Sequence, residues 1–181
     1  AAFRANPSVA PLGTPSGKIE IFSEVIASFG YDENPGHPVW RAPSEFLGAE
    51  IARDFPLHLV SPQPGDKLHS QLESALAETP GARPMPIVIN FNDAEIRGLA
   101  DGDRVRVFNT RGACRAKACL SRDIRSGVVA LSTGAWHDPG EDGLDAQGNP
   151  NVLTRDIGTS RIGQGSSAHT TLVQVEKENL A

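Results

Sequence analysis

The chain has 181 residues, a formal net charge of −5, 39% hydrophobic residues and 22% charged residues. That is enough for one good-sized core with an additional arm. No apolar run approaches membrane-spanning length, so membrane insertion is not expected. The acidic balance argues against nucleic acid as the partner, because phosphate backbones demand a basic face.

The opening AAFRANPSV has no initiator Met, and the chain is read as a piece of a longer or processed protein. Residues 1–54 are expected to form an arm or linker from a preceding domain. Within it GKIEIFS (17–23) alternates as a short strand, and Ser23 then caps a brief helix that Gly30 closes. Pro35, Pro38 and Pro43 make 31–55 an extended connection, anchored by Trp40 and Phe46.

The globular part is expected over 55–177, with 178–181 as a tail. FPLHLVSP (55–62) is a strand ending at a proline. PGDKLHSQLESALAE (64–78) is mixed, with a helix near its end. PIVIN (86–90) is a second strand, and NDAEIRGL (92–99) a short helix capped by Asn92 or Asp93. RVRVFN (104–109), ACRAKACL (113–120), GVVALS (127–132) and TTLVQVE (170–176) complete the strands. Glu73 and Arg97 are expected on solvated faces. Short strands at close spacing with little helix predict a mostly β fold, a barrel or a sandwich.

Cys114 and Cys119 are five apart in one strand, which puts them on opposite faces and makes a mutual disulfide improbable. Neither they nor the five histidines (37, 58, 69, 137, 169) fall in a metal-ligand spacing, so no metal site is expected. No GxSxG elbow and no phosphate loop is present. Two segments carry ligand-type chemistry instead. SPQPGDKLHSQL (61–72) follows a strand end and puts Ser61, Gln63, His69, Ser70 and Gln71 in one proline-restricted loop. GNPNVLTRDIGTSRIGQGSSAHT (148–170) is polar yet nearly uncharged, and its glycines allow close backbone approach while its amides and hydroxyls donate and accept. GAWHDP (134–139) adds Trp136, which either caps the core or lines a pocket.

INFNDAEIRGLADGDRVRVFNTRG (89–112) resembles the helix–turn–strand unit of double-psi β barrels, which makes a six-stranded barrel of that type with a few short helices the expected fold. Its chemistry is structural: Asp93 caps the helix, Gly98 ends it, and Asp101, Gly102 and Asp103 shape the turn. Together TPSGKIEIFSE (14–24), GHPVW (36–40), LHSQL (68–72), NDAEIRGLADGDRVRV (92–107), GAWHDP and GNPNVLTRDIGTSRIGQGSSAHTTLVQVEK (148–177) give a broader likeness. They resemble, in family order, the C-terminal molybdopterin-dinucleotide-binding domain of the dimethyl sulfoxide, trimethylamine N-oxide and biotin sulfoxide reductases.

The resemblance implies binding of bis(molybdopterin guanine dinucleotide)molybdenum, held jointly with the remaining domains of the same enzyme chain, and a small S-oxide or N-oxide substrate. It implies cofactor contacts from Ser61, Gln63, His69, Ser70 and Gln71, from Asn149 and Asn151 in the Asn-Pro-Asn turn, and from Gln164 and His169. No residue matches the family's serine ligand to the metal, so no catalytic residue is expected and the isolated chain should reduce no oxide. A double-psi barrel acting as a protein-interaction module, or the same domain of a formate dehydrogenase or nitrate reductase, are the alternatives. The compartment stays open.

Overall fold

The computed structural model describes residues 2–73 and 83–178. It divides into two compact units, one of Ala1–Ala42 with Gly158–Gly165 and one of Pro43–Ile157 with Ser166–Ala181. The helix expected near residue 78 lies outside the described residues.

The first unit holds α1 (Ala2–Ala5) and α2 (Glu24–Ser28). Ser23 caps α2 by accepting the Ile26 amide, and Gly30 follows its end at φ +66, the left-handed position glycine favours. The stretch 17–23 forms no strand. Ile19 and Ile21 are 75% and 77% exposed, because alternation makes a strand only where an edge is offered for pairing. Trp40 is likewise exposed, at 81%, and anchors nothing among the described residues of its unit. Here Arg161 pairs with both Glu33 oxygens and stacks over Tyr31. The Arg161 hydrogen bond holds the Glu33 carboxyl at about 2.

The second unit is a closed barrel. Its strands are β1 (Leu57–Val60), β2 (Pro86–Asn90), β3 (Arg104–Phe108), β4 (Ala113–Ser121), β5 (Val128–Leu131) and β6 (Thr171–Lys177). They close in the order β1-β5-β2-β4-β3-β6, with β1–β5 and β2–β4 parallel and the other pairs antiparallel. This is the six-stranded double-psi barrel. Alternate residues face inward, as period-2 strands require: Leu57 and Leu59, Ile87 and Ile89, Val105 and Val107, Val129 and Leu131, Val173 and Val175 are all buried. Each such side chain contributes about 1.5–3 kcal/mol of burial. β4 gives the small residues Ala116 and Ala118 to the same core. Cys114 is buried and Cys119 exposed, so the two lie on opposite faces and are unbridged.

The helix α3 (Phe91–Ile96) follows β2 directly. Its cap is Asn90, whose Oδ1 accepts the Asn92 amide at 2.9 Å, rather than Asn92 or Asp93. Asp93 is turned inward, where it accepts the Ser126 hydroxyl at 2.8 Å and the Gly127 amide at 2.7 Å. The polar strand terminus, not the first acidic residue, starts the helix. Gly98 ends it at φ +63, and Asp103 closes the next turn by accepting the Ala100 amide. Arg97 is half-buried rather than solvated, donating to Gln174 Oε1 and to the Asp93 carbonyl.

Strand direction fixes where the loops go. β1 runs with β5 and against β6, and β5 runs against β2. The ends of β1 and β5 therefore share one mouth of the barrel with the starts of β2 and β6. β4 follows β2 and β3 opposes β4. Residues 61–73, 83–85, 109–112, 132–157 and 166–170 lie on the segments that issue from that mouth, whereas α3, the 97–103 turn and the 122–127 connection issue from the other.

Candidate functional site

Ser61 is the first residue beyond β1 and is buried, and among the described residues its Oγ has no hydrogen-bond partner. The Ser61 amide donates to His169 Nδ1 at 3.5 Å, and His58 Nε2 donates to the His169 carbonyl at 2.6 Å. These contacts bring the start of the 61–73 loop to the residues just before β6. Gln63 Nε2 donates to the Lys67 carbonyl, while its Oε1 accepts the Thr133 hydroxyl. The Thr133 amide donates to the Pro62 carbonyl at 3.0 Å. The loop is thus braced against the turn that follows β5.

The next five residues form a tight turn. Leu68 and Gln71 are bridged, with the Gln71 amide on the Leu68 carbonyl at 2.9 Å. His69 and Leu72 take φ of +51 and +66, a region that strains any residue bearing a Cβ. Trp136 Nε1 donates to the Ser70 carbonyl at 3.0 Å. Gly134 sits at φ +96, and a Cβ there would collide with the His69 carbonyl. His69, Ser70 and Gln71 are exposed, and no hydrogen bond ties their side chains to other described residues.

Beneath this turn lies a charged cluster that the sequence reading did not single out. Lys67 Nζ donates to Glu73 Oε2 at 2.8 Å, both side chains being buried, and Arg83 pairs with Glu73 Oε1. Glu73 is therefore a core residue and not a solvated one. Burial, with repulsion from Arg83, draws the Lys67 ammonium below its ordinary range, and burial does the same to Arg83. Glu73 and Arg83 open onto a cavity of about 230 Å³ that Trp136, His137, Asp138 and Gln147 also line. Gln147 Oε1 is buried there without a partner among the described residues.

The Asn-Pro-Asn turn is held by a second residue the sequence reading missed. Asp145 is 1% exposed and accepts four backbone amides: Asp138 at 2.8 Å, Gln147 at 3.2 Å, Gly148 at 2.8 Å and Asn149 at 2.7 Å. Its signal, an aspartate just ahead of a Gly-Asn pair, was present as an Asx-turn pattern. Asn149 is buried, and its Oδ1 accepts the Asn151 amide to cap the 3-10 helix Pro150–Val152. Asn151 is exposed, with its side chain engaged by no other described residue. Of the two asparagines, one builds the turn and the other presents an amide.

The mouth of the barrel thus carries Ser61, Gln63, His69, Ser70, Gln71, Trp136, Asn149, Asn151 and His169 on connected segments. His169 is exposed and works through its carbonyl and ring nitrogen. Gln164 belongs to the first unit, where it is exposed and donates to the Ser160 carbonyl at 2.7 Å. Among the described residues no group of three or more His, Cys, Asp or Glu is placed to hold a metal ion. The donor set is one of amides, hydroxyls and imidazole, with an orphaned buried Ser61 hydroxyl. It fits a neutral, multiply hydrogen-bonding heterocycle such as a pterin or a purine.

Comparison with known proteins agrees with this chemistry. The molydopterin dinucleotide binding domain model matches residues 57–172. Trimethylamine-N-oxide reductase 1 of Escherichia coli is 50% identical over 98% of this chain and 22% of its own length. Biotin sulfoxide reductase of Cereibacter sphaeroides is 48% identical over 97% of this chain and 24% of its own. Dimethyl sulfoxide/trimethylamine N-oxide reductase of the same organism is 45% identical over 98% and 22%. The chain therefore spans about a quarter of the length of these relatives. Acetylene hydratase from Pelobacter acetylenicus superposes with a TM-score of 0.72 at 20% identity, over 95% of this chain and 25% of that one, which is a likeness of fold. From barrel, mouth chemistry and family match together, the chain belongs to the molydopterin dinucleotide binding domain family.

Proposed function

We propose that this chain is the cofactor-binding part of a larger enzyme that reduces a small S-oxide or N-oxide, and that it holds bis(molybdopterin guanine dinucleotide)molybdenum jointly with further domains of that enzyme. The observation that carries the reading is the set of exposed side chains at the barrel mouth, His69, Ser70, Gln71 and Asn151, which no hydrogen bond ties to other described residues. When bound, the cofactor supplies two-electron oxygen-atom transfer between substrate and water.

The chain's own residues bind and orient. Gln71 and Asn151 each offer a donor and an acceptor on one planar amide, the pairing that a pterin edge or a guanine presents. His69 and Ser70 precede Gln71 on the same turn, and Ser61 offers a buried hydroxyl that a ligand group would satisfy. Gln63 and Asn149 contribute by shaping their turns. His169 completes the proposed set at this mouth, with Trp136 as a lining residue of the adjoining cavity, and Gln164 is proposed as a separate cofactor contact on the first unit. Names of the relatives favour the S- and N-oxide class over a formate or nitrate enzyme.

The test is cofactor content of the full-length enzyme. Losing one ligand hydrogen bond in a closed site costs about 1–3 kcal/mol, roughly a 5- to 150-fold loss of affinity. Gln71→Ala with Asn151→Ala should lower the guanine nucleotide recovered per polypeptide. Glu95→Ala, at an exposed position of α3 at the other mouth, should leave it unchanged. Full nucleotide in the double variant would remove the proposed role of both turns.

A further inference from the structure

The turn 68–72 is enclosed by a buried ion pair that the barrel's hydrogen-bonded ladder does not require. Lys67 Nζ and Glu73 Oε2 meet at 2.8 Å with their side chains 0% and 1% exposed, and Arg83 pairs with the remaining Glu73 oxygen. Taking such charges out of water is expensive, so a buried pair is a weak source of stability and serves better to select one geometry. The geometry selected here is a strained one. His69 and Leu72 both carry positive φ without being glycine, a conformation that persists only where its surroundings over-determine it. Gln63 and Trp136 fix the carbonyls of Lys67 and Ser70, but neither spans the turn. The Lys67–Glu73 pair does, six residues apart and at the turn's two ends.

We propose that the Lys67–Glu73 ion pair, with Arg83 on the same carboxylate, is a clasp that locks the turn 68–72 with His69 and Leu72 left-handed and so sets Ser70 and Gln71 for the cofactor. Lys67 and Glu73 are then positioning residues that touch no ligand themselves. The proposal rests on the reading of this turn as a cofactor contact. It adds that the turn is pre-formed, so that the ordering cost of the loop is met on folding and not on binding.

The test uses the full-length enzyme with Lys67→Met, Lys67→Arg and Glu73→Gln, alongside Gln71→Ala. Two quantities are read: amide hydrogen exchange of residues 68–72 in cofactor-free protein, and the rate of guanine nucleotide loss from loaded protein. Breaking a buried charge-assisted hydrogen bond should raise both by about 10- to 100-fold in Lys67→Met and Glu73→Gln. Exchange in β1 and β5 should stay at the parent rate, and Lys67→Arg should recover much of the effect. Parent-like exchange at 68–72 in the neutral variants overturns the clasp. So does faster exchange spread evenly through β1 and β5, which would mark the pair as general support of the fold. If Lys67→Met does not fold, Glu73→Gln and Lys67→Arg decide the matter by the same readouts. Nucleotide loss in Gln71→Ala but not in the clasp variants defeats the clasp and spares the cofactor reading. A loosened turn with no nucleotide loss in any variant, Gln71→Ala included, defeats both.

Discussion

Replacing Asp145 with Ala should release the loop that carries the Asn-Pro-Asn turn. The carboxylate is 1% exposed and is the acceptor for the amides of Asp138, Gln147, Gly148 and Asn149. A buried amide left without an acceptor costs about 1–3 kcal/mol. Asp138 is exposed and Gln147 only half-buried, so water will reach some of the four once the loop relaxes. The net loss should therefore be about 3–5 kcal/mol, the range seen when one partner of a buried charged network is removed. Asp145→Asn keeps one oxygen for the 147–149 amides but turns an NH₂ group toward the Asp138 amide, and should cost about 1–3 kcal/mol. Urea unfolding followed by circular dichroism gives the stability change, and amide exchange locates it at 138–149. An Asp145→Ala chain within about 1 kcal/mol of the parent, with unchanged exchange at 147–149, would refute the assignment of Asp145 as the organiser of this loop.

Three further outcomes follow from the same geometry. Burial raises the Glu45 carboxyl, but its hydrogen bonds from Arg111 and from the Leu172 amide outweigh this and hold it below its ordinary value. A depressed folded pKa gives stability that is present above the unfolded value of about 4.3 and lost as pH falls through the folded one. The urea midpoint should therefore drop more steeply between about pH 5 and about pH 3 in the parent than in Glu45→Gln, and parallel slopes would contradict the pairing. Burial, with the Asp145 charge, pushes the Cys114 thiol up to about 12, while Cys119 is exposed. A thiol reagent near about pH 8 should thus modify Cys119 in the native chain and Cys114 only after unfolding; equal labelling would contradict the strand's facing. Gly134→Ala should cost about 1–3 kcal/mol or more, from left-handed strain plus collision with the His69 carbonyl. Gly143→Ala, at φ +75 in open space, should cost less, and equal losses would show that the close approach of the two turns is unimportant.

Alternation made the barrel legible. Val105 with Val107, and Ile87 with Ile89, point inward as their spacing requires, and the Gly98 and Gly102 turns stand where a positive φ was needed. The same alternation misled at Ile19 and Ile21, because periodicity reports a face and says nothing about whether a neighbouring strand exists to pair with it. The expected cap of α3, Asn92 or Asp93, lay two or three residues too late, since Asn90 ends β2 and caps in one step, which freed Asp93 to tie the helix to the β4–β5 connection. The loops that present ligand-type side chains were legible from composition. Their supports were not. Glu73, Arg97 and Asp145 look like solvent-facing charges in a linear chain, and only the fold shows that Glu73 lies between Lys67 and Arg83, that Arg97 reaches Gln174 across 77 residues, or that one carboxylate gathers four amides. Asn149 and Asn151 look equivalent in sequence, yet one is spent on capping the 3-10 helix and the other faces outward.

A cofactor held, as proposed, at the barrel mouth formed by the ends of β1 and β5 should protect that mouth from exchange. Hydrogen exchange of the full-length enzyme, compared with and without its cofactor, tests this most directly. Loading should slow exchange in 61–73, 133–138 and 147–151, and leave α3, the 97–103 turn and the 122–127 connection at their cofactor-free rates. Protection concentrated at that second mouth, or no change in the first, would place the cofactor elsewhere.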